Sequence, residues 1–301
     1  MTSQKSTRSS ATLSGVIGGS GLYQIQGIEN VHWSRLCSGF GKASDRGCFG
    51  TLHGHGVVFL PRHGRGHYLP PSAINYRANI EGLKTSGCRD ILSMSAVGSL
   101  KEALPPGTFV IVDQFVDRTF AREKSFFGPG LVAHVSMAQP VCSRLGDHLE
   151  AAARSLGFPV VRGGTYLAME GPQFSTLAES RLYRSWGCDV IGMTNMPEAK
   201  LAREAELCYA SVAMVTDFDC WHPEHDHVSV TQIVQTLHEN AEKAKALVRE
   251  VLPRIAGDAS GADCSCRKSL EHAILTPPEA RDPKMVRKLQ VVAGRVLKSK
   301  K

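Results

Sequence analysis

The most legible pattern in the chain is an unbroken run of small, β-branched and apolar residues over 208–215 that stops abruptly at two carboxylates, Asp217 and Asp219. A run without alternation predicts a strand buried on both faces. Shorter runs of the same kind fall at residues 13–17, 56–60, 90–95, 109–113, 164–169 and 188–191. Between them, apolar residues recur at helical spacing. Residues 75–86 carry Ile80 and Leu83 and stop at Gly87, and residues 145–156 stop at Gly157. A helix after Ser175 is expected to turn Leu177, Leu182, Tyr183 and Trp186 inward and to end at Gly187. Pro197 suits the first turn of a helix reaching about Leu207, and Ser229 with Gln232 forms a capping-box pair that opens a long helix. Strands alternating with helices predict one α/β domain, a mixed and partly barrel-like central β-sheet flanked by helices. The expected organisation is a disordered tail over 1–12, a main domain over 13–256, and a linker with a C-terminal helical extension over 257–301 packing on the same domain.

Composition changes this picture little. With 301 residues, 42% hydrophobic and 21% charged, the chain has the make-up of a globular protein able to bury a sizeable core. No apolar run is long enough to span a bilayer and the Ser/Thr-rich start lacks a signal core, so a cytoplasmic protein without membrane partners is expected. The formal charge of +7 is spread evenly until a basic tail of Lys284, Arg287, Lys288, Arg295, Lys298, Lys300 and Lys301. Nine cysteines, an odd number mostly in apolar surroundings, argue for reduced thiols over a disulfide framework. Cys264-Ser265-Cys266 stands apart, but two ligands do not make a zinc site and no second pair follows in sequence, so no metal site is assigned.

Candidate chemistry gathers at the ends of the predicted strands, where open α/β sheets bind ligands. Gly18-Gly19-Ser20-Gly21 follows the first strand and lacks both the dinucleotide fingerprint and a P-loop lysine. Arg62 and His63 follow the second within a Gly- and Arg-rich turn; the Arg fork suits a phosphate. Ser95 ends the next strand, before a small loop beginning at Ala96. Asp217 and Asp219, two apart, would lie on one side of an extended chain and could grip a flat polar ring together; a strand ending in a solvated acidic turn is the plainer alternative. The cluster His222, His225 and His227 has no metal-site spacing and reads as a polar lid. Val230, Ile233, Val234 and Leu237 form an apolar stripe that is core by default and could instead wall a pocket.

Taken together, Gly18-Gly19-Ser20-Gly21, Arg62-His63-Gly64, Asn75-Tyr76-x-Ala78-Asn79, Glu170-Gly171-Pro172-x-Phe174, Gly192-Met193-Thr194 and Thr216-Asp217-x-Asp219-Cys220-Trp221 strongly resemble the 5′-methylthioadenosine phosphorylase family, in the trimeric branch of purine nucleoside phosphorylases. The resemblance implies phosphorolysis of methylthioadenosine to adenine and 5-methylthioribose 1-phosphate, a salvage reaction in which inorganic phosphate is a co-substrate and no cofactor is needed. It implies phosphate ligands at Ser20, Arg62, His63, Ser95, Ala96 and Thr194. It implies base contacts at Phe174, Ser175, Asp217 and Asp219, and a ribose contact at Met193. The methylthio group would meet Val230, Ile233 and Val234, with His134 and Leu275 reaching in from a neighbouring subunit of a homotrimer or higher oligomer. Two departures are Gly192, which stands where an asparagine occurs in some relatives, and the extension beyond Pro277, which could alter the wall of the methylthio pocket. In this reading burial and the charge of Asp219 raise the pKa of Asp217, which supplies the purine N7 with a proton. The rivals are a broader purine nucleoside phosphorylase acting on adenosine or 6-oxopurine nucleosides, and a nucleoside- or RNA-binding protein using the basic tail.

Overall fold

The computed structural model describes residues 13–19, 21–222 and 230–298, with the backbone alone for 230–234 and 298. The elements are β1 (Leu13–Gly18), β2 (Glu29–Ser34), β3 (Gly47–Leu52), β4 (His55–Pro61), α1 (Tyr76–Thr85), β5 (Cys88–Ser99), β6 (Phe109–Ile111), β7 (Gln114–Asp117), α2 (Ser143–Ser155), β8 (Val160–Arg162), β9 (Thr165–Ala168), α3 (Leu177–Ser185), β10 (Val190–Gly192), α4 (Asn195–Glu204), β11 (Cys208–Asp217), α5 (Val230–Ala256), α6 (Pro283–Lys288) and α7 (Gln290–Lys298). The expected disordered tail at 1–12 lies outside the described residues.

Everything is hung on β5. One edge of this 12-residue strand pairs first with β1, in parallel, and then with β10, antiparallel. Its other edge carries β11 in parallel along nearly its whole length. From β1 the sheet runs outward through β4, β3 and β2. On the far side β11 pairs β6, β6 pairs β8, β7 pairs β9 and β9 pairs β10. Since β6 leads directly into β7 and β8 into β9, the ring β5, β11, β6/β7, β8/β9, β10 closes on β5, which makes the mixed sheet partly a barrel.

Alternate residues of the central strands feed two cores, as the period of two requires. Ile17, Ile91, Val97, Tyr209, Ala213 and Val215 meet Ile80 and Leu83 of α1, Leu201 and Ala202 of α4, and Val292 and Ala293 of α7. Val16, Leu92, Met94, Val212 and Met214 face the other way onto Leu145 and Leu149 of α2 and Leu247, Val248 and Val251 of α5. Each such buried aliphatic side chain contributes about 1.5–3 kcal/mol. The extension lies against the first of these layers. Lys84 Nζ donates to the carbonyl of Val292 (2.8 Å), and Arg295 pairs with Glu206 and Glu271 (2.7 Å each).

Two expectations are corrected. The strand thought to end at Ser95 runs on to Ser99, because β10 and β11 take up the backbone groups of residues 96–99; these neighbours are remote in sequence, so no local pattern announces them. In α3 Tyr183 is buried, but Leu177, Leu182 and Trp186 are exposed. Of the expected inward face only Tyr183 reaches a core, a small one with Leu100, Leu167, Cys188 and Ile191.

β10 crosses so close to β9 that a Cβ on Gly192 would lie 2.0 Å from the hydroxyl oxygen and 2.6 Å from Cζ of the fully buried Tyr166. Gly192→Ala is expected to cost about 1–3 kcal/mol as an overpacking change. Urea unfolding of the two proteins measures it, and an unchanged midpoint would show that β9 and β10 yield freely.

Candidate active site

Backbone register brings the cradle together. Gly192 at the end of β10 runs back alongside β5, whose partners in the preceding residues are Ser99 and Gly98, and so carries Thr194 to Ser95: their hydroxyl oxygens are 3.3 Å apart. Tyr166 completes the group, its hydroxyl 3.2 Å from Ser95 Oγ, and burial keeps its phenol pKa above the ordinary value. Ala96 is exposed between buried neighbours in β5, so this cluster of hydroxyls borders an opening. Arg62, immediately after β4, is fixed beside it by a backbone bond from its N–H to Gly18 O (2.9 Å).

Arg62 does not point freely into the opening. It is 2% exposed, and its guanidinium donates to Glu198 Oε2 (2.9 Å) and Oε1 (3.1 Å), Ser93 Oγ (2.6 Å) and Met94 O (2.9 Å). Burial alone would lower its pKa, but Glu198 outweighs burial and holds it above the usual arginine value. One of its five donor hydrogens, on Nη1, remains without a bond among the described residues. His63 lies next to it with Nδ1 2.8 Å from Leu69 O; a carbonyl only accepts, so Nδ1 carries the hydrogen. Burial lowers the His63 pKa to about 4, assisted by the charge of Arg62. The imidazole is thus neutral at pH 7 and leaves Nε2 as an acceptor. Ser20 lies outside the described residues.

The two acids are arranged differently from the extended pair expected. β11 ends at Asp217, and a bulge between Val215 and Asp217 sets that residue opposite Gly98 of β5. The chain then turns through a left-handed Asp219 (φ 53°), whose N–H donates to Asp217 Oδ1 (2.8 Å). Thr216 Oγ1 is 2.7 Å from Asp217 Oδ2. A turn therefore gathers the carboxyls, not strand alternation. A Cβ on Gly98 would stand 3.0 Å from Asp217 Oδ1 and 3.3 Å from Asp219 Cβ, which makes this glycine the floor under the pair. Burial first, and the charge of Asp217 in addition, raise the pKa of Asp219, whose buried Oδ2 has no hydrogen-bond partner among the described residues.

Other sequence candidates divide. Ser175 lies beside the acidic turn, its carbonyl accepting from Cys220 Sγ (3.4 Å). Phe174 is 83% exposed, its ring open to solvent. Met193 precedes Thr194 and is half-buried. His134 and Leu275 are far apart in sequence yet adjacent: His134 N donates to Ala273 O (2.8 Å) and Leu275 N to Val132 O (2.9 Å), and both side chains are exposed. The side chains of Val230, Ile233 and Val234 lie outside the described residues, as do His225 and His227. Sequence reasoning missed Glu198, Ser93, Tyr166 and Arg122. Buried Arg122 binds the carbonyls of Met193 (2.5 Å), Met196 (2.7 Å) and Glu170 (2.6 Å), fixing the loops on either side of the opening. Their one signal was the polar residue standing in an apolar stretch, as Glu198 does beside Met196, Pro197 and Ala199.

A cradle of hydroxyls beside a buried arginine, next to paired acids at the end of a half-closed mixed sheet, defines a site for an oxyanion and a polar ring. The family model described as the phosphorylase superfamily matches residues 15–253, and the chain belongs to that superfamily. Within it the chain stands among the S-methyl-5′-thioadenosine phosphorylases. It is 63% identical to the enzyme of that name from Rhodospirillum rubrum over 94% of this chain and 96% of the relative, and 57% identical to that of Cereibacter sphaeroides over 95% and 99%. Among solved structures, a methylthioadenosine phosphorylase from an antarctic soil metagenomic library superposes with a TM-score of 0.89 at 46% identity, covering 94% of this chain and 99% of the other. The Schistosoma mansoni enzyme in complex with adenine gives 0.81 at 38% identity, over 86% and 97%.

Two outcomes follow from this geometry. Glu198→Ala strands a buried guanidinium, so a loss of about 3–5 kcal/mol in unfolding free energy is expected, measured by chemical denaturation. Asp219, with its folded pKa raised above the ordinary 3.8, is a cost to the folded state that appears as pH rises through that folded value and vanishes below 3.8. Asp219→Asn, which also tolerates the left-handed φ, is therefore expected to raise the melting temperature at neutral pH, with the advantage shrinking on acidification. A variant less stable at both extremes would contradict the buried-charge reading.

Proposed function

We infer that the protein catalyses phosphorolysis of S-methyl-5′-thioadenosine, giving adenine and 5-methylthioribose 1-phosphate. The observation that carries this is the spacing of two sub-sites on one strand. Ser95 and Ala96 border the hydroxyl cluster, while Gly98 floors the two acids, about 7 Å further along β5. A phosphate at the first and a purine at the second leave the span of one sugar between them.

The reaction uses both ends. The bond from the anomeric carbon to the purine nitrogen breaks and its electron pair goes to the ring, while a phosphate oxygen forms a bond to that carbon. Ser95, Thr194, the Ala96 backbone, Ser20 and the remaining Arg62 hydrogen hold the phosphate beneath the sugar. Neutral His63 accepts a hydrogen bond from a phosphate hydroxyl through Nε2. Burial of Asp219 and the charge of Asp217 beside it favour a proton held between the two carboxyls, which Asp219 can pass on through Asp217. Asp217 delivers that proton to N7, and Asp219 accepts from the 6-amino group. Ser175 and Phe174 complete the base site and Met193 touches the ribose.

The reading extends to a homo-oligomer, a trimer by resemblance, with its sites shared between subunits. Phe174, Leu275 and Trp186 are exposed apolar side chains at 83%, 61% and 47%, an arrangement suited to cover by a second copy. The paired segments bearing His134 and Leu275 form one ledge that can close the methylthio end of a neighbour's site, opposite Val230, Ile233 and Val234. A cytoplasmic place in purine and methionine salvage accords with nine unbridged cysteines. The RNA-binding alternative loses ground because Arg295 of the basic tail is already occupied by Glu206 and Glu271.

The test is phosphate-dependent release of free base. Adenine release from methylthioadenosine is expected to be efficient, adenosine a poorer substrate and inosine a very poor one, because a 6-oxo group presents an acceptor to an acceptor. Efficient inosine cleavage would establish the broader phosphorylase instead. Asp217→Asn is expected to lower kcat by about 10²–10⁴-fold, the usual worth of a general acid.

A further inference from the structure

The cysteines that sequence spacing left without a metal role are regrouped by the fold. Cys142 at the N-cap of α2, Cys208 at the start of β11, and Cys264 and Cys266 in the turns after α5 place all four sulfurs within 4.8 Å of one another. The second pair that the sequence lacked as a neighbouring motif is supplied from residues remote in the chain. Three of the four are buried, Cys264 is half-buried, and all are free thiols.

We propose that Cys142, Cys208, Cys264 and Cys266 form a structural tetrathiolate site for a soft divalent metal, zinc foremost. Tetrahedral coordination at ~2.3 Å sets the sulfurs about 3.8 Å apart. Cys142 Sγ and Cys264 Sγ are already 3.6 Å apart, and the remaining pairs need less than about 1 Å of side-chain adjustment to reach such an edge. Cys264 and Cys266 are closer in sequence than most zinc ligand pairs. Cys264 is extended (φ −57°, ψ 130°) and leads into the 3-10 turn Ser265–Lys268, which brings both sulfurs to one point.

The surroundings suit the negative charge of such a centre. Arg144 pairs with Asp90 and Asp258, and its Nε is buried without a hydrogen-bond partner among the described residues. Arg203 lies near Cys266, and Arg267 Nε is buried and unpartnered among the described residues as well. Binding releases the thiol protons as each sulfur becomes a ligand. A surface depression lined by Ser143, Arg144, Asp147, His148, Asp258 and Ser260 opens beside the N-cap of α2, where Cys142 stands. The centre would clamp the chain after α5 to the sheet. It stands at the opposite end of β11 from Asp217, about 30 Å away along the strand, and takes no part in catalysis.

The full-length protein, purified under reducing conditions without chelator, decides the matter by plasma mass spectrometry and native mass spectrometry. One zinc per chain is expected in the wild type and in Cys37→Ser, whose thiol is exposed and outside the cluster. Cys142→Ser and Cys266→Ser are expected to lower metal affinity by roughly tenfold or more, since the loss of even an outer partner costs that much. Cobalt added to chelator-stripped wild type should give the intense visible bands of a tetrahedral thiolate centre. The wild-type readouts stand even if a serine variant misfolds. A wild-type chain that carries no zinc and takes up no cobalt, or whose denatured mass shows disulfides among these four residues, would overturn the proposal.

Discussion

The site depends first on one ion pair that water never reaches. Arg62 and Glu198 are both nearly fully buried, 136 residues apart, and neither would be tolerable there alone. Their partners form a closed polar network. Ser93 donates to Glu198 Oε1 (2.7 Å), as does the Tyr209 hydroxyl (2.9 Å), while Asn195 Nδ2 bonds Ser93 Oγ and the Tyr209 hydroxyl (3.0 and 2.7 Å). These residues come from the end of β4, the middle of β5, the first turn of α4 and the start of β11. A network with all but one of the Arg62 hydrogens bonded, within a low dielectric, fixes those four elements relative to one another. The guanidinium beside the hydroxyl cluster is therefore held rigidly, the preorganised state that binding of an oxyanion there would use.

β5 converts that rigidity into distance. Its parallel partners β1 and β11 end on the same side, and antiparallel β10 returns to the same place from the opposite direction. Loops from four strands thereby meet over residues 95–98. The bulge near the end of β11 matters for the same reason: without the shift between Val215 and Asp217, the register would place Thr216, not Asp217, against Gly98. Activity and fold are set here by one register.

Much of the architecture was legible because the central strands are apolar on both faces and punctuated by glycines, as in the stretch ending at Asp217 and in Arg62-His63-Gly64. Barrel closure was harder to read, since β6/β7 and β8/β9 are short segments joined through bends. The candidate site was legible as a set of strand ends but not as a geometry. Spacing put Asp217 and Asp219 on one face of a strand, whereas the chain turns at a left-handed residue. That Asp219 is buried deeply enough to raise its pKa is a tertiary property that spacing does not carry. Glu198 was passed over since a glutamate in the first turn of a helix ordinarily faces water. Leu177, Leu182 and Trp186 read as core from their periodicity alone, which cannot distinguish a face that meets its own sheet from one that does not.

The contact between Tyr166 and Gly192 has a consequence for how such a pocket diversifies. The phenol fills the volume that a side chain on the next strand would need, so the two positions are mutually exclusive sources of polar reach. A relative bearing asparagine at the glycine position must surrender the tyrosine, or displace it, and the donor lining the cavity then comes from β10 instead of β9. The two sites must be exchanged as a unit, and a chimera that inherits one without the other receives either a collision or a hole.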